Sequence, residues 1–440
     1  MNPLDDASRY QHYVYAYPHK TAYRRIEPAL DLAELWAHER RDHLFVYLHV
    51  PFCEIRCGFC NLFTQPVPEA DRVEAYLGTL ARQVAVVRRA LDAGGAFAFS
   101  RAAIGGGTPT LLDAGQLERA IDLVRAVGAP RGIPMSVETS PETALPDRLA
   151  VAVQHGGADR ISIGVQSFVD DECRAVNRPQ RVDDVHRALR AIRDAGPATL
   201  NVDLMYGLPG QTAASWRASL AAALAYRPEE LYLYPLYVRP LTTLGRKGAR
   251  AGVHPDDAAR VELYEQGRAQ LLEAGYRQVS MRMFRLAATG AGAGASYCCQ
   301  EDGMIGLGCG ARSYTRAVHY SSEWAVGARG VREIIDRWIA KPDDAFAVAD
   351  YGFVLDDDEQ RRRWLILSLL SDEGLDVDAY RARFAADPVD DPALAQLAAL
   401  TTRDGGSLRL TAEGLARADA VGPALFSEQV RRRMAEYELS

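Results

Sequence analysis

The chain has 440 residues, 48% hydrophobic and 25% charged, the balance of a folded globular protein rather than a disordered one. Its net charge of −7 argues against a dedicated nucleic-acid binder, and no run approaches the roughly 20 apolar residues of a membrane helix. Seven cysteines are too few for a disulfide scaffold, and three of them fall between positions 53 and 60, a clustering that in a reducing compartment points to metal or catalysis.

The first 25 residues are polar and tyrosine-rich. They lack the basic start and apolar stretch of a signal peptide, so a cytoplasmic protein is expected. Tyr10, Tyr13, Tyr15, Tyr17 and Tyr23, with His19 and Lys20, suit either a lid over a site or packing against a core. Leu44–Val50 reads as a strand that runs into the cysteines. Val73, Leu77, Leu80, Val84, Val87 and Leu91 recur at helical spacing, which predicts a helix over 72–91. A short strand at 102–104 ends in Gly105, Gly106 and Gly107, and 117–127 is the next helix.

The alternation continues with strand 133–138 and helix 147–155, then strand 160–165 and helices 170–176 and 183–195. Strand 199–205 precedes helix 213–225, and strand 231–235 precedes helix 256–274. These are about six β/α units of a length suited to parallel crossovers. Periodicity alone leaves a barrel and an open doubly wound sheet as alternatives. From about residue 345 the texture changes. Helices at 357–370, 376–384 and 392–400, a strand at 408–410, and a helix at 412–420 capped by Thr411 suggest a small winged-helix-like domain. Such domains often bind protein or cover a core, so nucleic-acid binding is not expected.

The cysteine segment reads Tyr47-Leu-His-Val-Pro-Phe-Cys53-Glu-Ile-Arg-Cys57-Gly-Phe-Cys60. Three cysteines in one loop can hold a [4Fe–4S] cluster and leave one iron open, as a reactive centre requires. The competing reading is a tetrahedral zinc site completed by His49. The loop follows the first strand, where α/β folds place catalysis.

The Cys-x3-Cys-x2-Cys loop, with Phe59 before its last cysteine, resembles the radical S-adenosylmethionine (SAM) signature. Its surroundings resemble the oxygen-independent coproporphyrinogen III oxidase-like family, from about Tyr47 to Phe384. The resemblance implies an α/β fold: a partial (β/α)6 TIM-like barrel with a small C-terminal winged-helix-like α+β domain. It divides the chain into an N-terminal extension (1–43) packing on the barrel, a core (44–285), a glycine-rich segment completing it (286–345) and a C-terminal region (346–440). It also implies a [4Fe–4S] cluster on Cys53, Cys57 and Cys60.

In Gly105-Gly-Gly-Thr-Pro-Thr110, the resemblance places Gly106, Gly107 and Thr108 against the methionine group of SAM. Glu138 becomes a SAM ligand, and Tyr47 matches a position near that SAM. Phe59, Gln166, Arg178 and Asp203 match residues that hold a second SAM. Taken singly, each of the last three is more often a surface or ion-pairing residue.

The implied activity is reductive cleavage of SAM to a 5′-deoxyadenosyl radical that abstracts hydrogen from a small-molecule or peptide substrate. The electron would come from a flavodoxin- or ferredoxin-type donor. Oxidative decarboxylation, methylation and related alkyl transfers all occur in the family, and so does the alternative of a haem-binding chaperone. Tyr232, Tyr234, Tyr237 and Arg239 end the last strand of the core. Cys298, Cys299 and Cys309 lack the grouped spacing of a second cluster and read as structural thiols.

Overall fold

A computed structural model of the chain describes residues 8–246, 256–287 and 299–438; Cys298 lies outside these. Six parallel strands follow one another in chain order: β1 (Leu44–Val50), β2 (Phe99–Gly106), β3 (Met135–Thr139), β4 (Arg160–Gln166), β5 (Thr199–Tyr206) and β6 (Glu230–Pro235). Each crosses to the next through at least one helix, as parallel pairing demands. The first crossover helix, Ala70–Ala93, buries Val73, Leu77, Leu80, Val84, Val87 and Leu91. Strand residues pointing to the helices are apolar and buried, among them Leu48, Ile104, Val137, Ile163, Val202 and Leu233. Burial of each contributes on the order of 2 kcal/mol.

The sheet curls into a partial (β/α)6 barrel and stays open. Beyond β6 it continues through antiparallel Met283–Leu286 and Tyr276–Gln278. On the other side β7 (Met304–Leu307) pairs parallel with β1, followed by antiparallel Arg312–Tyr314, Val318–Ser321, Val348–Val354 and Arg24–Asp31. The stretches 1–43 and 346–440 therefore each give a strand to the main sheet. These outer strands are mostly short, and three- or four-residue strands carry no readable alternation.

The C-terminal α+β region is built on helices Asp357–Leu369 and Val377–Phe384 and a small antiparallel sheet of Leu375–Asp376, Ser407–Leu410 and Thr401–Asp404. Two helices differ from the sequence reading. The stretch 392–400 splits into Pro392–Ala395 and a 3-10 turn at Ala398–Leu400. The stretch 412–420 breaks at Arg417 into Ala412–Ala416 and Ala418–Ala424. The N-terminal segment shares this region's core: Val14, Tyr17, Ala22 and Tyr23 pack with Phe353, Leu365, Ile366 and Leu369. Among the described residues no helix is long and apolar enough to cross a membrane.

Candidate active site

Side chains alternate along a strand, so every second residue of β1–β6 faces the barrel interior. That inner face is polar. Strand register sets Ser136 beside Arg160, Glu138 beside Ser162, Ser162 beside Asn201, Asn201 beside Glu230 and Asp203 beside Tyr232. Arg160 and Arg285 pair with Glu230 at 2.8 and 3.0 Å, and Asn201 donates to Asp203 and Ser162 at 2.8 Å each. These polar side chains pair with one another and leave a polar lining inside the barrel.

The cysteine loop closes the mouth of β1. Phe52–Cys53 pairs with Gln65–Pro66, and the amide of Cys60 donates to the Cys57 carbonyl at 3.0 Å. Each sulfur has a polar neighbour. The Thr108 hydroxyl lies 3.6 Å from Cys53 Sγ, Arg178 Nη1 donates to Cys57 Sγ at 3.2 Å, and Thr64 Oγ1 is 3.9 Å from Cys60 Sγ. Burial pushes the Cys53 thiol up to about 12 and raises that of Cys60. Thiols in such surroundings become thiolates when a metal cation takes them.

His49, the fourth ligand of the zinc reading, is engaged elsewhere in the fold. His49 is turned to the Tyr47 hydroxyl (3.2 Å) and the Phe63 carbonyl (3.1 Å), which occupy its two ring nitrogens. A tetrahedral zinc with 2.3 Å bonds holds its sulfurs about 3.8 Å apart. Among the described residues the group whose ligand atoms lie mutually within 4.8 Å is instead the surface cluster Glu118, Asp122 and His155. Cys53, Cys57 and Cys60 do not form such a compact group in this structure.

Beside the loop, the end of β2 offers bare backbone. Gly106 has φ of +114°, and its amide donates to Glu138 Oε2 at 3.0 Å. A Cβ on Gly105 would come within 2.7 Å of that carboxyl, and one on Gly107 within 2.4 Å of the Phe52 carbonyl. The glycines thus let the strand edge approach both the cysteine loop and Glu138. Glu138 is accessible, yet desolvation raises its pKa, the combination expected of an open interior cavity.

The remaining sequence-derived residues line the ends of β4 and β5. Gln166 has φ of +68° at an irregularity in the β4–β5 register, a strained conformation that side chains adopt where a site requires it. Desolvation pushes Asp203 up to about 7. Phe59 packs with Val176, Met205, Leu208 and Leu236. The structure joins Gly106 to Glu138 and Arg178 to Cys57 and to the Gly164 carbonyl of β4.

The sequence reading missed Arg160, Ser162, Asn201, Glu230 and Arg285. The alternation Arg-Ile-Ser-Ile-Gly-Val-Gln along β4, polar at every second position, was the signal for the first two. The sequence reading offered Tyr13, Tyr15 and Lys20 as lid residues but not the partners they meet, Arg282, Arg312 and Trp324. Tyr13 lies 6.0 Å from Tyr234 and carries the Arg282 guanidinium 3.9 Å from its ring. Tyr15 sits beside Arg312, and Lys20 lies 3.8 Å over Trp324. The charges that weigh most on Lys20 are Tyr15, Arg312, Cys60 and Arg239, so this cation faces other cations close to the cysteine loop. Burial alone would raise Tyr15, but Arg312 and Lys20 outweigh it and lower its pKa. Cys309 is buried beside Ser322, and Cys299 packs with Ala16, Met304 and Tyr314, as structural thiols do.

The radical SAM superfamily model matches residues 47–223. The chain is 32% identical over 280 residues to the heme chaperone HemW of Escherichia coli, an alignment covering 61% of this chain and 69% of that one. It is 32% identical over 242 residues to the anaerobic coproporphyrinogen III oxidase 1 of Cereibacter sphaeroides, covering 55% of this chain and 53% of that one. The solved coproporphyrinogen III oxidase (HemN) of Escherichia coli, a radical SAM enzyme, superposes with a TM-score of 0.77 over 94% of this chain and 96% of that one. At 22% identity that likeness speaks to the fold.

Proposed function

Because the chain belongs to the oxygen-independent coproporphyrinogen III oxidase-like family of the radical SAM superfamily, we propose that it holds a [4Fe–4S] cluster on Cys53, Cys57 and Cys60 and abstracts hydrogen from an organic substrate. When bound, the cluster supplies the electron that cleaves SAM to methionine and a 5′-deoxyadenosyl radical. The observation that carries this reading is the placement of all three cysteines at the mouth of β1, beside the glycine edge of β2 and Glu138.

The chain's own residues then divide the work. The Gly106–Thr108 edge and Glu138 receive the amino-acid end of SAM, and Tyr47 flanks it. Phe59, Gln166, Arg178 and Asp203 receive a second SAM. An Asp203 carboxyl poised near pH 7 can hold or accept a proton in that position. Lys20 and Arg312 rest on the rings of Trp324 and Tyr15 with no carboxylate paired to either among the described residues, which supports an anionic substrate. A tetrapyrrole bearing carboxylates has that chemistry, and the relatives are named for coproporphyrinogen III and heme. Oxidative decarboxylation and methyl transfer to a metabolite or peptide are the two outcomes in competition. The electron would be supplied by a flavodoxin- or ferredoxin-type protein, and the setting is the cytoplasm.

The test is anaerobic incubation with dithionite and SAM. The parent protein is expected to release 5′-deoxyadenosine, and Cys57→Ala is expected to lose both iron and that product. Cleavage that persists in Cys57→Ala refutes the assignment. Formation of S-adenosylhomocysteine separates methyl transfer from hydrogen abstraction alone. The alignment over 69% of a heme chaperone favours a second reading, in which the protein carries haem. Haem binding by optical titration, with no 5′-deoxyadenosine formed, would establish it.

A further inference from the structure

We propose that Arg178 is a positioning residue for the cluster: it hydrogen-bonds the Cys57 sulfur and thereby raises the reduction potential of the iron–sulfur centre. The inference rests on the cluster assignment above and adds a role for a residue otherwise matched only to SAM. Arg178 Nη1 donates to Cys57 Sγ at 3.2 Å, Nη2 to the Gly164 carbonyl at 2.6 Å, and Nε to Gln180 Oε1 at 2.9 Å. Gln180 is itself buried and donates to the carbonyls of Val165 and Ser167 at 2.7 and 3.0 Å. The guanidinium is therefore fixed at one end by β4 and presents its free edge to the sulfur.

The backbone makes the same connection independently. The Gly58 amide donates to the Val176 carbonyl at 2.7 Å, and a Cβ on Gly58 would come within 2.8 Å of that oxygen. Asn177 takes a left-handed φ of +52° to turn the chain so that Arg178 follows. The centre of the cysteine loop is thus clamped to the turn that carries Arg178. A cationic donor on a ligand sulfur stabilises the reduced, more negative cluster over the oxidised one. Thr108 and Thr64, neutral and at 3.6 and 3.9 Å, are weaker neighbours of the other two sulfurs. Two of the five guanidinium N–H groups remain for a second SAM, so the two roles are compatible.

The test is a redox titration of the reconstituted full chain followed by electron paramagnetic resonance, with iron and sulfide measured on each sample. Arg178→Gln is expected to keep the iron and sulfide content of the parent and to titrate at a more negative potential. Arg178→Lys, which keeps the charge and loses the fork, is expected to fall between the two, and it serves as the probe if Arg178→Gln does not retain its cluster. An unchanged midpoint at unchanged iron content would overturn the role of Arg178. A parent protein that takes up no iron and sulfide would overturn the cluster assignment and this inference with it.

Discussion

Asp419 ties together three distant parts of the chain. Its carboxylate accepts from Arg282 and from the Tyr237 hydroxyl, and its carbonyl accepts the His12 amide at 3.2 Å. The side chains of Arg282 and Asp419 are 3% and 1% exposed, so the pair is dry. Asp419→Ala removes the counter-ion and leaves Arg282 against the Tyr13 ring at 3.9 Å and the Tyr237 hydroxyl at 3.0 Å. Breaking a buried pair from one side costs about 3–5 kcal/mol. The cation–π contact that remains keeps on the order of 1 kcal/mol for the arginine, so a loss of about 3 kcal/mol is expected. At an unfolding entropy of roughly 2 cal/mol/K per residue, that lowers the melting temperature of a chain this size by about 3 °C, read by circular dichroism. Replacing both partners, Arg282→Met with Asp419→Leu, should recover most of the loss, because neither charge is then stranded. A single variant that melts within about 1 °C of the parent would refute the reasoning, as would a double variant no better than the single.

Burial raises Asp203 from its usual 3.8 to about 7. A raised carboxyl opposes folding once it must ionise, so its contribution to stability falls as pH rises from about 4 to 7 and then levels off. Asp203→Asn should therefore gain on the parent between pH 5 and pH 8, by about 2 kcal/mol, as measured by melting at those two pH values; a pH-independent difference would contradict this. Gly106→Ala places a Cβ 2.4 Å from the His49 ring at a φ of +114°. A loss of about 3 kcal/mol or more in chemical denaturation is expected, and a loss under about 1 kcal/mol would show that the strand edge can give way. Gln166→Gly relieves a left-handed φ worth about 1 kcal/mol. Its melting temperature should hold or rise while SAM binding by equilibrium dialysis weakens, and unchanged SAM binding would remove Gln166 from the site.

The core of the fold was legible because its elements are long and strictly patterned. The helix at 70–93 and the strands of β1–β6 repeat apolar residues at 3.6 or 2 for enough residues to be read. Strands such as Arg312–Tyr314 and Val318–Ser321 are too short to repeat anything, and their place in the sheet is decided by partners far away in sequence. Arg24–Asp31 is long enough, but its burial is irregular and it pairs with Val348–Val354 across more than 300 residues. The break at Arg417 is also a tertiary matter. Asp419, just after the break, meets Arg282 from a distant part of the chain.

The site was half legible for a related reason. Cys53, Cys57 and Cys60 are local, so their spacing shows in the sequence. The residue that meets the Cys57 sulfur is Arg178, reached only after β4 has brought its turn alongside the loop. The N-terminal segment makes the point most fully. A lid and ordinary packing both fitted its tyrosines, and in the fold the members of this one segment have different surroundings. Tyr10, Tyr17 and Tyr23 are buried against Tyr206, Phe426 and Tyr351. Tyr13 and Tyr15, lying between them, meet Arg282 and Arg312 instead. The buried tyrosines anchor the backbone on either side of Tyr13 and Tyr15. Lys20 lies over Trp324 at 3.8 Å, between Tyr17 and Tyr23 in the chain, which are fixed in the core of the C-terminal region.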